Sequence, residues 1–98
     1  MEQRVEVGSV SIFREVDGSK AQALKPLEEA AEVFGAWQKW QENGPTMDNT
    51  EAGLVDLIVD ECCDTIQACV NLAAAYGVRD LTKAMRDCED RNRKRGRL

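Results

Sequence analysis

Two short acidic stretches hold the residues best suited to chemistry. Lys25-Pro26-Leu27-Glu28-Glu29-Ala30-Ala31-Glu32 and Asp60-Glu61-Cys62-Cys63-Asp64 each set carboxylates three positions apart. Residues three apart are neighbours on a helix face, so two facing helices would converge four oxygen-bearing side chains on one point. Such an oxygen-only set suits a hard divalent cation such as magnesium. The chain contains no histidine, which removes the usual general base of serine and cysteine hydrolases. Its cysteines, Cys62, Cys63, Cys69 and Cys88, form no C-x-x-C pair, so the pattern disfavours zinc. Cys62 and Cys69 read instead as small buried hydrophobes in a reducing compartment. If this chain is an enzyme, carboxylates and a metal must do the work.

The charge distribution narrows the ligand. Residues 1–85 carry 7 basic and 15 acidic side chains, whereas residues 86–98 carry 6 and 3. An acidic body with a basic tail lacks the basic face of a general nucleic-acid binder, so no polymeric nucleic acid is expected as a partner. It fits a short polyanion held between metal-loaded carboxylates and arginines. No apolar run approaches the ~18 residues that a membrane helix needs. Met1-Glu2-Gln3-Arg4 lacks the basic and apolar regions of a signal peptide, so the default expectation is a cytoplasmic protein.

Three helices must position these groups within a single domain of 98 residues. Residues 1–18 form an N-terminal arm: Val5, Val7, Val10 and Ile12 alternate weakly about Gly8-Ser9, which allows a hairpin or an extended strap. Ser19-Lys20-Ala21-Gln22 has the form of a capping box. Pro26 then kinks the first helix or restarts it, and Asn43-Gly44-Pro45 stops it. Leu27, Ala30, Val33, Phe34, Trp37 and Trp40 make its broad apolar arc, the tryptophans serving as core, subunit contacts or a base-stacking platform.

Asp48 is the expected N-cap of a second helix that reaches Tyr76 and closes at Gly77. Its apolar side holds Leu54, Val55, Ile58, Val59, Cys62, Ile66, Cys69, Val70, Leu72 and Ala73, and its polar stripe runs Asp56, Asp60, Asp64, Gln67, Asn71. No Lys or Arg falls between Asp48 and Asp64. A merely solvated face would interleave lysine to gain pairs three and four residues apart. Spacing alone leaves a metal site and a plain acidic surface both open. A third helix after Asp80 is expected to bury Leu81, Ala84, Met85 and Cys88. It grades into a basic tail at 91–98, which reads either as a charged frayed end or as an arginine-rich flap over phosphates. The helical core thus spans 19–90.

Glu28-Glu29-x-x-Glu32, then 28 residues, then Glu61-x-x-Asp64 resembles the E-E-x-x-E … E-x-x-D signature of MazG-like nucleotide pyrophosphohydrolases, members of the all-α NTP pyrophosphatase superfamily. The resemblance covers roughly residues 20–90. It implies an all-α antiparallel helical bundle completed by oligomerisation into a homodimer or homotetramer. It further implies a magnesium-dependent enzyme, with manganese as a substitute, that splits a nucleoside triphosphate into monophosphate and pyrophosphate. Carried over by position, Glu29, Glu32, Glu61 and Asp64 would hold the metal, and Glu28 would support it or orient water. Lys25 and Asn71 are candidates for sugar or phosphate contacts, and Arg91, Arg95 and Arg97 for phosphate contacts. Two other activities fit the same residues: a pyrophosphatase dedicated to one metabolite, such as phosphoribosyl-ATP, and a non-catalytic helical module that binds nucleotide or protein. Pro26 and the N-terminal arm depart from the family pattern.

Overall fold

The computed structural model describes residues 2–43 and 50–98, with Asn43 described by its backbone alone. These residues form three helices, α1 (Lys20–Asn43), α2 (Glu51–Ala75) and α3 (Thr82–Lys94), and no strand. Of the two conformations open to the N-terminal arm, the extended strap is the one found. Gly8, at φ +77, supplies a left-handed turn in it without any strand pairing.

Local chemistry explains the helix ends. Ser19 Oγ accepts from the Gln22 N–H at 3.2 Å, which caps α1. The return half of the capping box is replaced, because the Ser19 N–H donates to Asp17 Oδ1 at 3.0 Å instead. α1 runs through Pro26 as one helix, so the Gln22 carbonyl loses its usual intrahelical donor. At α2 the cap is Thr50, whose Oγ1 accepts from the Gly53 N–H at 3.0 Å. The expected cap Asp48 and the Gly44-Pro45 stop lie outside the described residues. Gly77, at φ +84, closes α2 as its position after Tyr76 predicts. Asp80 works one place earlier than expected: its Oδ1 accepts from the Thr82 N–H at 2.9 Å, while Leu81 holds the cap position of α3.

α1 and α2 pack on each other, and α3 packs on neither. Ala36, Leu54, Ala68 and Ala74 are buried, together with the polar Asn71. That arrangement corrects several expectations. Cys62 and Cys69 are exposed, as are Leu81 at the start of α3 and Met85 within it. The reason is the same for all: no other described part of the chain covers these faces. On α2 the residues Val55, Val59, Cys62, Ile66 and Cys69 recur at alternating spacings of four and three, the repeat of a helix–helix seam. All five lie open.

The arm ties the separate parts together. The Phe13 N–H donates to Asn71 Oδ1 at 3.1 Å, and Gln67 Nε2 donates to the Ser11 carbonyl at 2.8 Å. Nearer the N-terminus, Arg4 pairs with Glu89 at 2.8 Å and Glu2 meets the Arg93 guanidinium through both carboxylate oxygens at 2.9 Å. The strap therefore crosses α2 and reaches the far half of α3.

Candidate metal centre and groove

Glu29 and Glu32 project from one turn of α1, and Glu61 and Asp64 from one turn of α2. Each offers a carboxylate oxygen, and the four atoms lie within 4.8 Å of one another. Glu29 and Glu61 are half-buried, while Glu32 and Asp64 face solvent. The helix pair thus brings together the four carboxylates that the spacing singled out. Glu28 stands outside the cluster, its carboxylate paired with Lys25 Nζ at 3.2 Å. No lysine or arginine forms an ion pair with any of the four among the described residues.

The electrostatics follow from crowding like charges. Partial burial, then the abutting Glu32 carboxyl and the charge of Asp64 push Glu29 above the ordinary carboxylate range, with Lys25 opposing. Glu61 is pushed up in the same direction by burial, Glu32, Asp64 and Glu29. Glu61 Oε2 is buried and has no hydrogen-bond partner. A buried carboxylate oxygen without a donor is costly, and a cation at the common centre would satisfy it. Oxygen donors only, converging from two rigid elements with one oxygen left orphaned, fit a hard divalent ion.

A groove of about 480 Å³ opens beside the cluster. Glu29 and Asp64 form one end of its lining, and Phe13, Gln67 and Asn71 come from further along α2 and from the arm. Its size is that of a small-molecule site. Lys25 and Asn71, two of the expected substrate contacts, both line it. Arg91, Arg95 and Arg97 do not: they belong to α3 and its end, where Arg97 donates to Asn92 Oδ1 at 2.9 Å. Trp37 and Trp40 are also absent from the lining; Trp37 stacks on Phe34 with ring centroids 5.7 Å apart. Phe13 and Gln67 were not singled out by sequence as ligand contacts. Gln67 continues the Asp60, Asp64 stripe of α2 and could have been found by extending it. Phe13 sits in a stretch without helical period and carries no such signal.

No protein-family model, curated protein or solved structure matches this chain. No helix among the described residues is long and apolar enough to cross a membrane.

Proposed function

We propose that this chain is a MazG-like nucleotide pyrophosphohydrolase, which uses magnesium, or manganese in its place, to split a nucleoside triphosphate into monophosphate and pyrophosphate. What supports this reading is one juxtaposition. Four carboxylates from two helices meet within 4.8 Å, one of them Glu61 with an orphaned buried oxygen, at the edge of a groove large enough for a nucleotide. Glu29, Glu32, Glu61 and Asp64 would hold the ion. A divalent cation bound there supplies neutralising charge for the triphosphate and acidifies water. Phosphoryl transfer asks mainly for positioning and charge stabilisation, and both helices are rigid enough to give them.

The chain's own residues then have distinct tasks. The groove orients the nucleoside so that the α–β phosphoanhydride lies against the carboxylates. Water adds across that bond, its oxygen joining one phosphorus as the bridging oxygen leaves with the other. Glu28, one position before Glu29 and paired with Lys25, would orient that water and accept its proton. The products are monophosphate and pyrophosphate. Two or more chains assemble into the working bundle, covering the open seam of α2.

The test is a panel of nucleoside triphosphates with magnesium, assayed for monophosphate and pyrophosphate. Turnover is expected for at least one nucleotide and is abolished in Glu32→Gln and Asp64→Asn, with helix content by circular dichroism unchanged. Parental rates in both variants would show that the site is wrongly assigned. Turnover of phosphoribosyl-ATP alone would point to a dedicated metabolite pyrophosphatase. No turnover of any substrate, with binding retained, would leave a non-catalytic module.

A further inference from the structure

The end of the groove away from the carboxylates has a fixed hydrogen-bonding polarity, and the N-terminal arm fixes it. A backbone N–H can only donate, so the Asn71 atom that meets the Phe13 N–H at 3.1 Å must be Oδ1. A carbonyl can only accept, so the Gln67 atom that meets the Ser11 carbonyl at 2.8 Å must be Nε2. The 2.9 Å bond from Gln67 Nε2 to Asn71 Oδ1 agrees with both assignments. Neither amide can be turned over without breaking main-chain bonds.

What remains unused faces a ligand's needs. Asn71 is only 3% exposed, yet its Nδ2 donates to no acceptor among the described residues. Gln67 Oε1 likewise accepts from none. Beside them Phe13, 61% exposed, also lines the groove. Asn71 lies seven residues beyond Asp64 on α2, about 10 Å along the helix, a separation that a sugar and its phosphate can bridge. An aromatic face next to one committed donor and one committed acceptor is the equipment for reading a flat heterocycle.

We propose that Phe13 stacks on the base of the bound nucleotide while Asn71 Nδ2 donates to, and Gln67 Oε1 accepts from, its polar edge. This rests on the reading of the groove as a nucleotide site. It gives the arm a role in specificity: the arm brings the platform and, through Ser11 and Phe13 main-chain atoms, sets the polarity of both amides.

Calorimetric titration of the full chain with magnesium tests it. The probes are α,β-methylene analogues of the four common nucleoside triphosphates and inorganic tripolyphosphate. Phe13→Ala is expected to weaken the best-bound nucleotide roughly five- to 150-fold, the range of base–aromatic stacking, and to leave tripolyphosphate unchanged. Phe13→Tyr keeps the affinity. Asn71→Asp retains the acceptor for the Phe13 N–H and for Gln67 but removes the donor, so the order of preference among the four bases changes. Nucleotide affinity that ignores Phe13, equal weakening of nucleotide and tripolyphosphate, an unaltered base preference in Asn71→Asp, or no gain of nucleotide over tripolyphosphate in the parental chain would each overturn the proposal. Base-dependent binding without hydrolysis would remove the hydrolase reading and leave this one standing. Hydrolysis with Phe13-independent binding would do the reverse.

Discussion

Glu61 carries the tension of the site, and its protonation gives a direct way to measure it. Both Glu29 and Glu61 bind a proton more readily in the folded chain than in the unfolded one, because burial and neighbouring carboxylates oppose their charge. Their contribution to stability is therefore full below the ordinary glutamate range and is lost as pH rises through the raised folded values. Asp17 and Asp80 work in the opposite sense. Hydrogen bonds from Ser19 and Thr82 lower them, so their contribution is lost on acidification, and only a difference between variants isolates the cluster. With chelator present, Glu61→Gln should melt higher than the parental chain near neutral pH, the gap closing at about pH 4. Adding magnesium should raise the parental melting temperature near neutral pH and raise that of Glu61→Gln much less. Thermal melts across pH, with chelator or magnesium, decide it. Equal magnesium shifts in both proteins would place the ion elsewhere.

At the scale of elements, the cluster depends on where two helices start and how closely they approach. Thr50 holds the start of α2 through its bond from the Gly53 N–H. Thr50→Ala should cost about 1 kcal/mol of stability, read as a lower denaturation midpoint. Magnesium affinity should be nearly unaltered, since the cap is three turns from Glu61. Close approach comes from Ala36, Ala68 and Ala74, small side chains that let the carboxylates of opposite helices share one centre.

Much of this was legible in the sequence. The i, i+3 acids, the missing lysines between Asp48 and Asp64 and the Gly77 stop are local signals, and local signals survive folding. The exact caps were less so, because Thr50, Asp48 and Asp80 are all competent and only geometry chooses. The far end of the groove was hidden for another reason. Phe13 reaches Asn71 by donating its main-chain N–H to the Asn71 side-chain oxygen across 58 positions, and no periodicity records such a contact. The burial expected for Cys62, Cys69 and Met85 came from amphipathic pattern, which shows that a face is apolar but not that the same chain covers it.

As a whole molecule, the single chain is open. Its accessible surface is 7906 Å², against about 5,600 Å² for a folded monomer of this mass. Its radius of gyration is 16.1 Å, against about 13 Å for a compact domain of this length. Its exposed apolar residues include the α2 seam of Val55, Val59, Cys62, Ile66 and Cys69, and on α1 Leu27 and Phe34. α3 is held by exposed ion pairs to the arm, which salt screens and which contribute little. Two protomers laying these seams together would form a four-helix arrangement and shield the thiols. Light scattering should therefore give the mass of a dimer or larger assembly, and Cys62 and Cys69 should react slowly with a thiol reagent. Phe34→Glu leaves the α1–α2 contact untouched, since Phe34 is exposed in the single chain. It should nevertheless shift the mass toward one chain and speed labelling several-fold. A parental protein that scatters as a single chain, with all three α2 thiols labelled at the rate of free cysteine, would mean that these seams face water and that the site works without a partner.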